Sequence, residues 1–280
     1  MPVTRRLALL LLTPVTAVTL AAFVWPLGRL VRMSFLESRV DGTLTGRASA
    51  AAYAAFASDP ASLDLAANSL WLSVVVTAVT LVLSYPLALF LHRAPRGRQP
   101  VLYALTISPL LVSSVVRTYG WMALLGDQGP VNDVLVGLGL LSGPARLVNN
   151  MTGVTIGLVE ILMPYMTLSL LAGFGRLDPA CEEAAASLGA GPVRRFSRIV
   201  VPLTLPGVAL GCGLCFVLTM SSFITPKLLG GGRVFVLATE IYDLALARLQ
   251  WPMAAATAVI VLAALGAASV AYQRLMRRLA

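Results

Sequence analysis

Asp178–Pro206 reads DPACEEAAASLGAGPVRRFSRIVVPLTLP. Asp178-Pro179 opens a helix: the aspartate accepts from amides left free at the helix start, and proline lacks the amide that would be wasted there. Ala180–Leu188 is rich in helix formers but amounts to only about two and a half turns. Gly189 then stands where a left-handed residue ends the helix. Ala190-Gly191-Pro192 turns the chain, and Val193–Val201 restarts a helix carrying Arg194, Arg195 and Arg198. The expected product is a stubby helix, a tight turn, and a basic helix leading into an apolar run. The alanines keep the short helix slim enough to enter a groove.

The spacing within this stretch is also specific. Glu183-Ala184-Ala185 is followed by Gly189, then Ile199 and Pro202. It resembles the EAA loop of the membrane-spanning subunits of binding-protein-dependent ABC importers. One position departs, with Val201 where that family usually has leucine. The resemblance assigns coupling to an ATPase subunit to Glu182, Glu183, Ala184, Ala185, Gly189, Ile199 and Pro202. It implies a core of about five spans with one extra at the N-terminus.

Composition agrees with a membrane protein. Of 280 residues, 58% are hydrophobic and 12% charged, about half the charged share of a soluble domain; mean hydropathy is +0.85. Apolar runs long enough to cross a bilayer as helix occur near Leu7–Leu27, Leu65–Leu91, Val101–Leu125, Val154–Phe174, Leu203–Ile224 and Met253–Tyr272. The first is longer than a signal-peptide core and has no small-x-small site before Trp25-Pro26, so it reads as a span. The fold class is all-α integral membrane, with about six transmembrane helices and a type I ABC importer permease-like core. Residues 1–64 form an N-terminal helix and outer segment, and 65–280 form the permease core. Short helices are expected within Glu37–Asp64 and around Val131–Leu138.

Arginine placement sets the orientation. With the N-terminus inside, Arg5, Arg6, Arg93, Arg96, Arg98, Arg176, Arg194, Arg195, Arg198, Arg274, Arg277 and Arg278 are cytoplasmic, opposed there only by Asp178, Glu182 and Glu183. The entire +9 net charge then lies inside. Both termini and the EAA loop are cytoplasmic in this reading, and the pI near 10.2 calls for no nucleic acid.

Further segments narrow the resemblance to the spermidine/putrescine-type branch: Arg117-Thr118-Tyr119-Gly120-Trp121, then Phe223-Ile224-Thr225-Pro226 running into Leu228-Leu229-Gly230-Gly231-Gly232, and Trp251-Pro252. Together with the EAA loop they cover the chain from about Leu65 onward. That branch handles polyamines, opines, phosphonates and similar small polar solutes. Ser222 stands where some polyamine-type relatives carry an acidic residue, which counts against a polyamine. Arg117 and Trp121 fit an interfacial anchor pair as well as a gate. The three glycines fit a tight outer turn better than a ligand cradle. Gly153/Gly157 and Gly207/Gly211 mark faces for close helix crossings.

No chemistry of the chain's own is legible. The lone lysine, Lys227, sits in Pro-Lys-Leu rather than a phosphate-binding Gly-Lys-Ser/Thr. The single histidine, His92, lies in a basic loop. Cys181, Cys212 and Cys215 make neither a disulfide framework nor a metal set, so no metal and no catalytic residue is expected. The resemblance places ATP and Mg in partner subunits: two ATP-binding chains, a second permease, most simply a related but different chain, and a periplasmic or lipid-anchored solute-binding protein, all in or at the bacterial plasma membrane. Glu160, about 10 Å into the fourth run at 1.5 Å per residue, needs a partner, because a charge at mid-membrane costs about 2.5–3.5 kcal/mol. Arg117 is expected at similar depth and to pair with it. The pathway candidates are Arg117, Trp121, Glu160, Ser221, Ser222 and Thr225. A different class, an ion-coupled secondary transporter using Glu160, would need no EAA loop and usually carries inverted repeats, which are not evident here.

Overall fold

The computed structural model describes residues 2–38 and 44–279, and side chains over 12–37, 46–178 and 180–274. The side chains of Arg5, Arg6, Arg277 and Arg278 therefore lie outside the described residues. The chain divides into two compact units, one of Met1–Leu63 with Glu240–Ala264, the other of Asp64–Thr239 with Leu265–Ala280.

The first unit begins with α1 (Pro2–Ser34), followed by an antiparallel pair, β1 (Leu36–Ser38) and β2 (Leu44–Ala48), and by α2 (Ala51–Ser58). α1 runs about two turns past the expected Leu27, and the hairpin was not foreseen in the polar, alanine-rich segment. Tyr53 of α2 fixes the end of α1: its hydroxyl lies 2.6 Å from Ser34 Oγ, and its ring is 5.0 Å from that of Phe35. Asp59-Pro60 starts α3 (Pro60–Arg93) as Asp178-Pro179 starts the EAA helix. The Asp59 carboxylate accepts from the Ser62 hydroxyl at 2.8 Å and from the Ala61 amide at 3.2 Å, and both bonds hold its pKa below the usual carboxylate value.

The second unit contains most of α3, then α4 (Gln99–Ile107), α5 (Ser114–Leu125), α6 (Pro130–Gly137), α7 (Met151–Phe174), α8 (Pro179–Ser187), α9 (Pro192–Arg195), α10 (Val201–Met220) and α11 (Ile224–Leu229); α12 (Leu237–Tyr242) and α13 (Trp251–Leu279) cross between the units. Among the described residues, five helices are long and apolar enough to span a bilayer: Leu12–Ser34, Pro60–Arg93, Met151–Phe174, Pro192–Met220 and Trp251–Arg274. The remaining expected span, Val101–Leu125, is broken. Its two arms, Gln99–Leu111 and Ser114–Gly137, meet at 94°. Pro109 supplies the reason: it has no amide to continue the ladder and crowds the carbonyl four residues back. The helix tightens to a 3-10 turn over Ser108–Leu111, Val112 becomes extended at ψ 134°, and α5 starts afresh after Ser113.

α7 is the centre of this unit, with Val154, Leu158, Leu162, Met166, Leu170 and Phe174 buried along it. It crosses α10 where neither chain has a side chain. A Cβ on Gly207 would lie 2.7 Å from Gly173 Cα, and one on Gly211 would lie 2.5 Å from Met166 Sδ. Gly207/Gly211 thus form a crossing face as their spacing implies, and on α7 they meet Gly173 and Ser169, which are one turn apart. α3 approaches through short hydroxyls: Ser84 Oγ donates to the Met163 carbonyl at 3.4 Å, and Ser69 Oγ accepts from the Leu237 amide at 2.7 Å. Before α10 the helix widens to a π turn over Phe196–Val200, with the Val201 amide reaching the Phe196 carbonyl. Pro202 explains it, since it cannot donate to the Arg198 carbonyl that a regular helix would present to it.

Candidate functional site: a coupling helix and a charged cluster

The EAA loop folds as its residues dictate. Asp178 Oδ1 accepts from the Ala180 amide at 2.9 Å and opens α8. At the other end the Gly189 amide donates to the Ala186 carbonyl at 2.9 Å and the Ala190 amide to the Ala185 carbonyl at 3.0 Å. This is the paired termination that requires a left-handed residue, and Gly189 has φ +81°. The turn projects two apolar side chains, Leu188 at 89% and Val193 at 79% exposure. Glu183 and Ala184 are exposed, Ala185 is half-buried, and Pro202 is exposed at the start of α10. Ile199 packs on the core beside the fully buried Val200. Glu182, in the first turn of α8, is held by Arg93 at the last residue of α3, with Nη2 at 2.9 and 3.2 Å from the two carboxylate oxygens. Sequence gave no sign of that contact, which joins residues far apart along the chain.

The second cluster joins α5 and α7. Arg117 and Trp121 are one turn apart and so face the same side of α5. Both reach Glu160: Arg117 Nη1 donates to Oε1 at 3.3 Å, and Trp121 Nε1 donates to Oε2 at 3.2 Å. Arg117 and Glu160 thus pair, though through a different geometry, since Arg117 sits in the first turn after the break rather than deep in an unbroken span. Their side chains are 12% and 28% exposed, and Arg117 Nε is buried without a hydrogen-bond partner. The remaining pathway candidates are not part of this cluster. Thr225, expected on the pathway, is buried; its hydroxyl lies 3.2 Å from Thr118 Oγ1, and its methyl would be 3.1 Å from a Cβ on Gly157. Its side chain packs α11 against α5 and α7. Ser221 turns its hydroxyl back to the Val217 carbonyl at the end of α10, and the Ser222 amide donates to the Thr219 carbonyl.

The triple glycine forms a turn. Gly231 and Gly232 have φ +53° and +70°, and a Cβ on Gly231 would collide with the Asn149 side chain; the Asn149 backbone N–H donates to the Leu229 carbonyl at 2.8 Å. Asn132 pins the neighbouring segment, with Nδ2 donating to the Gly126 and Ala145 carbonyls and Oδ1 accepting from the Ala145 amide.

The profile of the family described as "Binding-protein-dependent transport system inner membrane component" matches residues 99–280. The chain belongs to that family. It is a multi-pass inner-membrane component of an ABC importer, and its role is transport. It is 35% identical over 221 residues, 79% of this chain and 80% of the other, to the spermidine/putrescine transport system permease protein PotB of Escherichia coli K12. It is 25% identical over 194 residues, 69% of this chain and 68% of the other, to the putative 2-aminoethylphosphonate transport system permease protein PhnU of Salmonella choleraesuis. Its fold matches a solved chain of a bacterial ABC transporter that imports the acidic polysaccharide alginate, with TM-score 0.81 at 18% identity, over 99% of this chain and 97% of that one.

Proposed function

We propose that this chain is one permease half of an ATP-driven importer, with both termini and α8 in the cytoplasm, and that α8 with its Gly189 turn seats in a partner ATPase. The observation that carries this is the shape of the turn: a helix too short to be stable alone, rigidly terminated, offering Leu188 and Val193 to a groove. Glu183, Ala184, Ala185 and Gly189 form the seated surface; Ile199 and Pro202 join it to α10. Two ATP-binding subunits hold ATP and Mg, this chain holds no cofactor and does no chemistry, and residues 65–280 act as the permease core. A second, related permease completes the pathway, and an external binding protein delivers the solute. The secondary-transporter alternative finds no support in a family defined by dependence on a binding protein.

For the solute, Glu160 with the Trp121 indole beside it suits a small polar molecule bearing an amine, the feature shared by polyamines and 2-aminoethylphosphonate. The test is to co-express the chain with a cognate ATPase, second permease and binding protein, isolate the complex, and follow ATP-dependent uptake of spermidine, putrescine and 2-aminoethylphosphonate into vesicles. Failure of the chain to associate with any ATPase subunit would overturn the proposal; uptake without ATP would favour the secondary transporter.

A further inference from the structure

We infer that Arg93 is a positioning residue that ties the coupling helix to α3, giving α8 a third line into the membrane domain besides its two covalent ones. The inference rests on the proposed seating of α8 in an ATPase. By chain connection α8 acts on α7, through Gly175–Asp178, and on α10, through α9 and the π turn. α3 is remote in sequence, yet its last turn converges on the same place. Arg93 Nη2 holds both oxygens of Glu182. The adjacent His92 ring stacks on Phe174, at the end of α7, with centroids 5.4 Å apart. Two turns back, Tyr85 meets Phe174 and Phe196 edge-on at 5.5 and 5.8 Å, and its hydroxyl lies 2.9 Å from Thr204 Oγ1 of α10. The α3–α4 turn is itself braced, because Gln99 Nε2 donates to the His92 and Ala94 carbonyls on either side of Arg93.

These contacts differ in kind. The aromatic contacts join α3 to α7 and to the start of α10 and do not involve α8; the ion pair alone, among the described hydrogen bonds and ion pairs, reaches α8 from α3. Its side chains are 52% and 21% exposed, and pairs this accessible contribute little to folding stability. Neutralising it should therefore leave the protein folded and assembled while freeing α3 from α8.

The experiment uses the complete transporter with its ATPase subunits in lipid vesicles. A fluorophore is placed on Phe90→Cys in a Cys181→Ser background; Phe90 is exposed just before the Arg93 turn. The readouts are ATP hydrolysis and the change in label signal when ATP and vanadate trap the closed ATPase. With the pair intact the signal changes on trapping. In Arg93→Gln the change is lost while hydrolysis persists, in Glu182→Gln the change is lost as well, and in the swap Arg93→Glu with Glu182→Arg it returns. An undiminished change in either single variant overturns the inference, as does a swap that fails to restore it or a trapped complex whose label never responds. A wild-type chain that binds no ATPase is a separate result, which overturns the proposed function instead.

Discussion

At the α7–α10 crossing a Cβ on Gly207 would lie 2.7 Å from Gly173 Cα and 2.9 Å from the Ser169 carbonyl oxygen, whereas one on Gly189 would meet nothing within 4 Å. The crossing needs glycine for space. The coupling turn needs it for a backbone of positive φ, which costs other residues about 1–2 kcal/mol. The same residue type thus meets two different structural demands. Gly173, Gly207 and Gly211 let two spans pack backbone to backbone. Gly189 gives a small exposed helix a fixed end, which under the proposed seating would pass a push on rather than absorb it.

The largest expected effect falls on the crossing. Gly207→Val places branched carbons where the opposing atoms are backbone and cannot rotate away, so α7 and α10 must separate. Ordinary overpacking costs about 1–3 kcal/mol, and this site should exceed it. Monodisperse protein recovered from membranes should fall to a small fraction of wild type. Wild-type recovery of Gly207→Val would show that the crossing tolerates separation and would remove the contrast with Gly189.

The coupling turn was far more legible in sequence than the crossing. Asp178-Pro179, the alanine run and Gly189 each carry a local signal, and the resulting helix, Pro179–Ser187, needs no distant partner to be read. Span count was legible from hydropathy, but the break after Pro109 was hidden because Val101–Leu125 stays apolar throughout. The Val131–Leu138 helix came out as Pro130–Gly137, close to its proline start. Gly173, Tyr85 and the Arg93–Glu182 contact were not legible, since each takes its meaning from a residue on another helix. Thr225 shows the same limit: its motif marks the place, and only packing shows that its hydroxyl lies 3.2 Å from Thr118 Oγ1.

The charged cluster sharpens the comparison, because it places a polar constraint on the same α7. Removing one partner should cost less than Gly207→Val and be asymmetric. Glu160→Gln strands Arg117, the more buried charge at 12% exposure, while Arg117→Gln leaves Glu160 at 28% exposure and still bonded to Trp121. A buried charge left without its partner is costly within a membrane, so Glu160→Gln should reduce recovery more than Arg117→Gln, and the double variant should regain it. Uptake measured separately decides the role. If the double variant also transports normally, the pair is structural and the solute binds elsewhere.

Gly189→Val should perturb the fold least of these substitutions, within about 1–2 kcal/mol and confined to the turn, so recovery should approach wild type. Its effect should appear in coupling, with ATP hydrolysis retained and uptake lost. Gly189→Asn, which accepts positive φ more readily, should keep part of the uptake. A well-expressed Gly189→Val variant with normal uptake would show that the cap geometry is dispensable.

The last prediction perturbs nothing and tests where the two regions lie. Cys181 is exposed on α8 and Cys215 is buried near the α7–α10 crossing, its thiol 3.9 Å from the Leu162 carbonyl. A membrane-impermeant maleimide should modify Cys181 in inside-out vesicles, not in intact cells, and should spare Cys215 until the protein is denatured. The asymmetry follows from charge, since twelve arginines and three carboxylates fall on the side assigned to the cytoplasm, and anchoring such an excess outside runs against the positive-inside bias. Binding of the ATPase should then slow the labelling of Cys181 without affecting Cys215, because only the coupling helix would be covered. Labelling of Cys181 from outside intact cells would reverse the orientation and put α8 out of reach of any ATPase. Labelling from inside that is indifferent to the ATPase would keep the orientation but remove Cys181 from the seated face, leaving Leu188 and Val193 as the contact.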